Sequence, residues 1–315
     1  MLQFRAVLEN VPHDESLIFD SSFLSKLEQL YLLSKKLFRG QHHAERRSKR
    51  TGSSLEFADY RDYTLGDDLR SVDWNIYGRL DRLFIKLFEE EQDLPVYFLI
   101  DTSASMRWNP PASSPQRSTK YDQARRITAS LAYIALANLD RVNIHYFDSQ
   151  LGDHMGLSRG KGQFHKVLEF LNRASPGKNG ETRLLTSFRT FAQRVKQRGL
   201  VFVLSDLFDT EGCEEALALL RYNQFETSVI HVLDPAELQP ELSGDLRLVE
   251  PETGQPLEIT SDPSLLKRYR REVQNFLQGT ENFCLQRQIG YAQATTEVSF
   301  EDLVLRVLRD GRLVR

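Results

Sequence analysis

Apolar runs at Val96 to Ile100 and Leu200 to Leu204 interrupt an otherwise mixed chain, and Ser228 to Leu233 reads as another strand. Uniform apolarity over five or six residues is the pattern of a strand covered on both faces. Leu83 to Phe88 alternates instead, and Val142 to Phe147 reads as a further strand. Between these lie segments with three- and four-residue apolar spacing, which predicts helices. Tyr121 to Leu139 is one, with Ile127, Leu131, Ile134 and Leu136 on its apolar face; Phe164 to Leu171, Phe188 to Val195 and Glu214 to Leu220 are others. Strands alternating with helices predict an α/β fold, a mostly parallel sheet with helices on both faces. Beyond Leu233 the pattern gives a hairpin around Glu252-Thr253-Gly254, a charged helix from Leu265 to Leu277, and a strand–helix pair from Ile289 to Leu308.

Upstream, residues 17–39 place Leu24, Leu27, Leu30 and Tyr31 at helical spacing, an amphipathic helix. It runs into Lys35, Lys36, Arg39, Arg46, Arg47, Lys49 and Arg50. Without interleaved aromatics for base stacking, this stretch reads as a solvated linker rather than a nucleic-acid contact. Residues 1–54 are thus expected to form an N-terminal helical and basic extension.

Composition narrows the class. At 315 residues, 40% hydrophobic and 27% charged, the chain has an ordinary soluble composition. A net charge of −3 gives no global bias toward nucleic acid. No apolar run approaches the roughly 20 residues of a membrane span. Cys213 and Cys284 belong to no C-x-x-C pair and read as reduced thiols, so a cytoplasmic protein is expected.

The candidate chemistry lies at Asp101-Thr102-Ser103-Ala104-Ser105, where the run Val96 to Ile100 ends. On an extended segment, side chains two apart share a direction, so Asp101, Ser103 and Ser105 are expected to converge. A carboxylate and two hydroxyls suit a hard cation, which takes oxygen ligands and keeps several waters. The same residue types also make turns and helix caps. In open parallel sheets ligands bind beyond the carboxyl ends of the strands. Asp206 lies at such an end, after Val201 to Ser205, and Thr182 precedes a helix in the loop Asn179 to Leu184. Thr186 lies close by and competes with Thr182 as the hydroxyl from that loop.

Asp101-Thr102-Ser103-Ala104-Ser105, Gly180-Glu181-Thr182 and Ser205-Asp206 resemble the metal-ion-dependent adhesion site of von Willebrand factor A-like domains. Phe57, Arg61, Tyr63, Gly66-Asp67-Asp68, Arg70 and Asp73-Trp74 are similar to the segment that defines the domain-of-unknown-function 58 family. Leu139 to Val142 and Asp234 to Glu237 match further stretches of that family, over roughly residues 20 to 310. The resemblance implies a doubly wound sheet over residues 94–310, with a hairpin insertion near 245–260, preceded by a family-defining segment at 55–93. It implies that Ser103, Ser105 and Thr182 ligate a divalent ion, Mg2+ or else Mn2+ or Ca2+, with Asp101 and Asp206 acting directly or through water. Many members carry an N-terminal pair of membrane helices, which this chain is expected to lack.

These readings lead to a non-enzymatic module whose metal takes an Asp or Glu carboxylate from a protein partner. The resemblance implies that the partner is a MoxR-type AAA ATPase, with maturation or remodelling of client complexes as the task. No G-x-x-x-x-G-K-[ST] loop is present, so ATP hydrolysis falls to the partner. Two alternatives stay open: a metal-dependent phosphohydrolase using Asp101 and Asp206, and a metal-free scaffold. Asp59, Asp62, Asp67, Asp68 and Asp73 interleave with Arg61, Arg70, Arg79 and Arg82, which predicts paired charges rather than a second metal site, with Tyr63 and Trp74 packed as anchors. His145 and His231 fall inside strands and read as packed or hydrogen-bonded.

Overall fold

A computed structural model describes residues 19–38, 51–89, 95–107, 118–173, 182–209, 211–240, 242–249 and 255–309. The basic stretch from Arg39 to Arg50, the prolines 110, 111 and 115, the turn 252–254 and Gly180-Glu181 lie outside them. The described residues fall into two compact units, one of residues 19–36 and 95–309, the other of 37–89.

The elements follow the chain as α1 (Ser21–Phe38), β1 (Thr51–Asp62), α2 (Trp74–Leu80), β2 (Phe84–Glu89), β3 (Pro95–Asp101), α3 (Lys120–Ala137), β4 (Arg141–Phe147) and β5 (Leu151–Arg159). Then come α4 (Phe164–Arg173), α5 (Leu184–Arg194), β6 (Leu200–Ser205), α6 (Glu214–Tyr222), β7 (Glu226–Leu233) and α7 (Pro235–Leu238). Last are β8 (Gly244–Val249), β9 (Pro256–Ser261), α8 (Pro263–Gln286), β10 (Gly290–Thr295) and α9 (Phe300–Arg309).

In the larger unit a six-stranded sheet runs in the order β5-β4-β3-β6-β7-β10. All neighbours are parallel except β4 and β5, which are antiparallel. The fold is therefore a doubly wound, mostly parallel α/β sheet, with its direction of winding reversing beside β3. Every residue of β3 is buried. Tyr97, Leu99, Val201 and Val203 point into a cluster with Phe188 and Phe191 of α5, Leu217 and Leu220 of α6, and Cys284 of α8. Phe98 and Phe202 stack at 5.3 Å between ring centres, offset by one residue and so facing the other side. On that other side lies α3, whose start is fixed by a capping box of Thr119 and Asp122. Gly199 leads into β6 where a Cβ would stand 2.1 Å from the Pro95 carbonyl oxygen, so only glycine lets β6 start beside β3. Both cysteines are buried and unbonded.

The N-terminal helix packs onto the α/β unit. Phe23, Leu27 and Leu30 of α1 are buried, Phe23 packs on Phe300 of α9 at 4.8 Å, and the Tyr133 hydroxyl of α3 donates to Glu28 at 2.5 Å. The apolar stripe of α1 finds its cover on α3 and α9, so its first sixteen residues belong to the α/β unit. The strand β5 was not expected, because its nine residues bury little beyond Leu151 and Met155. The hairpin of β8 and β9 pairs Gly244 through Val249 with Ser261 through Pro256.

The smaller unit is an antiparallel pair, β1 with β2, joined through a turn and α2. Ion pairs join Arg61 with Asp67 at 2.9 Å, Arg82 with Asp62 at 3.0 Å, and Lys86 with Asp73 at 3.0 Å, whereas Arg70 and Arg79 have none among the described residues. Asp68 and Asp73 also cap short helical turns. Asp67 accepts from Arg61 and from the Thr64 amide and hydroxyl, which together hold its carboxyl well below the ordinary range. The expected anchoring by Trp74 is not found, since it is 59% exposed at the start of α2. Two strands and a seven-residue helix provide too little second layer to cover it.

Candidate metal centre

The carboxyl ends of β3 and β6 bring together Asp101 and Asp206, both fully buried. Convergence of the serines has a different cause from the extended alternation expected of them. The strand stops at Asp101, and its Oδ1 accepts the Ser103 amide at 2.9 Å, turning the chain into a 3-10 turn over Ala104–Arg107. That turn places the Ser103 and Ser105 Oγ atoms 2.8 Å apart. Thr102 points away, its hydroxyl and amide both donating to the Phe147 carbonyl of β4.

The loop before α5 straddles the end of β3. Arg183 donates its amide to the Asp148 carbonyl just past β4, and Leu184 donates its amide to Asp209 just past β6. Since β4 and β6 flank β3, Thr182 is carried across the same rim, where it is 1% exposed. Thr186 is exposed on α5, with its carbonyl accepting the Thr190 hydroxyl. Of the two threonines, Thr182 is the one at the rim.

Electrostatically the two aspartates differ. Asp101 accepts from the Ser103 amide on Oδ1 and from the Ser205 hydroxyl on Oδ2 at 2.6 Å. Among the described residues no basic side chain pairs with it. Burial, aided by the nearby Asp206 charge, pushes its carboxyl up to about 7 against the pull of those hydrogen bonds. Asp206 feels the same burial penalty, but the Lys120 ammonium at 2.7 Å, the Ser105 hydroxyl and the Phe208 amide bring it below the ordinary carboxylate range. Its backbone carbonyl accepts from His231, which also contacts the Tyr291 hydroxyl at 2.8 Å. Leu207 follows in the left-handed region at φ 56°, a strained turn for a branched side chain, held by its amide donating to Ser205 Oγ.

These residues fit a hard cation. The two serine hydroxyls hydrogen-bond each other, and each oxygen keeps a lone pair that an ion can use. Adjacent oxygens of an octahedron with 2.0–2.1 Å bonds lie about 2.9 Å apart, close to the spacing of the two serines. An un-neutralised buried carboxylate completes the demand for positive charge. The donors are all oxygens, which suits a hard cation better than a metal that seeks thiolate or imidazole.

Residues 59–277 match the family model described as "Protein of unknown function DUF58". The chain belongs to the DUF58 family. That match holds both the Asp67 segment and the Asp101–Asp206 rim of this DUF58 chain, and it is narrower than the span expected from motifs, leaving α1 and α9 outside. Uncharacterized protein Rv1480 of Mycobacterium tuberculosis is 22% identical over 257 residues, covering 81% of this chain and 78% of its own. An uncharacterized protein of Mycobacterium bovis matches with the same identity and coverage. Among solved structures, BatB from Bacteroides thetaiotaomicron is 12% identical with a TM-score of 0.43, covering 70% of this chain and 98% of its own. An aerotolerance-related membrane protein from Bacteroides fragilis is 13% identical with a TM-score of 0.42, at the same coverage. Among the described residues of this DUF58 chain, no helix is long and apolar enough to cross a membrane.

Lys120 and Glu237 were missed from sequence. A signal for Lys120 existed: a cation at the first position of α3 opposes the helix dipole, so it needs a carboxylate elsewhere.

Proposed function

We propose that this protein is a metal-dependent protein-binding module of the adhesion-site type, working in the cytoplasm and without catalysis of its own. Ser103, Ser105 and Thr182 supply hydroxyl ligands to Mg2+, or to Mn2+ or Ca2+ in its place, and Asp101 and Asp206 act directly or through water. The ion keeps a position for an Asp or Glu of a partner, and a MoxR-type AAA ATPase is the partner proposed. The observation that carries this reading is the buried Asp101 carboxylate, which no basic side chain among the described residues neutralises, beside two hydroxyls 2.8 Å apart. Placing a divalent ion there offsets the cost of burying the charge, and a partner's carboxylate then completes the coordination shell.

The phosphohydrolase reading has less support. Both Asp101 oxygens accept hydrogen bonds within the protein, and Asp206 is engaged by Lys120, so neither carboxylate is poised as a nucleophile or base. The test is capture of the ATPase by the pure protein with Mg2+ and with EDTA, repeated for Asp101→Ala and Ser103→Ala. Capture that requires Mg2+ and is lost in both variants is expected; undiminished capture by both would overturn the metal bridge. Calorimetric titration with Mg2+ separates the module from a metal-free scaffold, which would release no heat.

A further inference from the structure

The side chain of Lys120 is fully buried, an expensive position for an ammonium at the dipole-positive start of a helix. It donates to Asp206 Oδ2 at 2.7 Å and to Glu237 Oε1 at 2.6 Å, and it lies 5.4 Å from the centre of the Phe208 ring. Glu237 is itself held in place. Its second oxygen accepts the Asp234 amide in the capping box of α7, and its carbonyl accepts the Tyr269 hydroxyl of α8 at 2.8 Å. Lys120 therefore joins a carboxylate at the end of β6 to a fixed carboxylate beyond β7. Asp206 is the only one of the two that belongs to the candidate metal centre.

We infer that Lys120 is an internal cation that competes with a divalent ion for Asp206, setting the affinity of the centre and sustaining it when no metal is bound. This inference rests on the metal-binding reading above. With one Asp206 oxygen on the ammonium and the other accepting the Phe208 amide, the carboxylate is already satisfied. An ion that draws on Asp206, directly or through water, must share this buried carboxylate with a positive charge, and charges interact strongly where water is scarce. Glu237 gives the ammonium a second partner on which to remain when Asp206 turns to the ion. Counted as ionised, Asp101, Asp206 and Glu237 against Lys120 leave two negative charges, which one divalent ion cancels. Without Lys120 there would be three, and the metal-free centre would hold two buried carboxylates with no counter-charge.

The test is isothermal titration with Mg2+, together with thermal unfolding with and without Mg2+, on the wild type, Lys120→Met and Glu237→Gln. Lys120→Met is expected to bind Mg2+ about tenfold more tightly or better, since a repelling charge is gone. Its metal-free form melts lower than the wild type, and Mg2+ closes much of that gap. Glu237→Gln takes away one carboxylate partner of the ammonium, which then bears more heavily on Asp206, so Mg2+ binding weakens by a few-fold, the opposite direction. If Lys120→Met does not fold even with Mg2+, the direction of the Glu237→Gln change decides alone. Unchanged Mg2+ affinity in every folded variant, with melting lowered equally in both conditions, overturns the role of Lys120 and leaves the metal reading standing. No Mg2+ binding by any of the three overturns both.

Discussion

Replacing His145 by Phe should remove much of the acid lability of the α/β unit. His145 is 4% exposed on β4, stacked at 5.2 Å on His154 and edge-on at 5.1 Å to Phe191. Neither ring nitrogen has a hydrogen-bond partner. Burial, with smaller contributions from the charges of His154 and Arg194, pushes its ring down to about 3 from the ordinary 6.5. Above pH 6.5 the ring is neutral in both folded and unfolded chains, so no stability is lost. As pH falls below 6.5 the unfolded chain takes up a proton that the folded one refuses, and stability declines until pH approaches the folded value. Each unit of that gap is worth about 1.4 kcal/mol, so at pH 5 this one residue costs about 2 kcal/mol. Urea unfolding at pH 7.5 and pH 5.0 reads this directly. His145→Phe keeps a ring against Phe191, and its loss between the two pH values should be smaller than the wild-type loss by about 2 kcal/mol. Equal losses in the two proteins would show that His145 is not the buried neutral base described here.

Thr182→Ala should weaken Mg2+ binding by about tenfold or more, whereas Thr186→Ala leaves it unchanged; titration calorimetry giving the reverse would move the ligand to α5. Gly199→Ala should cost about 1–3 kcal/mol or more in denaturant unfolding, because a Cβ cannot share space with the Pro95 carbonyl. An unaltered midpoint would mean that the β3 and β6 starts separate easily. Leu27→Ala should destabilise the α/β unit by about 2–5 kcal/mol within one cooperative transition, and a separate early melting of α1 would contradict its inclusion in that core.

What could be read from the sequence follows where each segment is buried. β3 and β6 are apolar up to their last residue because sheet neighbours and helices enclose them on both faces, and such strands announce themselves. β1 and β5 do not: polar pairs and glycines carry them, and their pairing partners, not their own periodicity, make them strands. Asp101, Ser103, Ser105 and Asp206 were legible as a group because each follows the end of a strand or its turn. Their geometry was not, since an Asx-type turn rather than extended alternation aims the serines. Lys120 was illegible by spacing, as its contacts reach across 86 and 117 positions of the chain. Only the local mismatch of a cation with a helix start marked it.

The outer strand β5 bears on how the molecule meets others. It lies at one margin of the sheet, and it presents Asp153, His154, Ser158 and Arg159 with glycines at 152 and 156. Its pairing with β4 slips twice, between Val142 and Ile144 and between His145 and Phe147. Polar side chains and irregular register make a poor template for another strand, so this flank resists fibrous stacking and accidental pairing with neighbouring copies. On the function proposed above, that refusal adds selectivity, because main-chain adhesion along this flank, which is indifferent to sequence, is disfavoured.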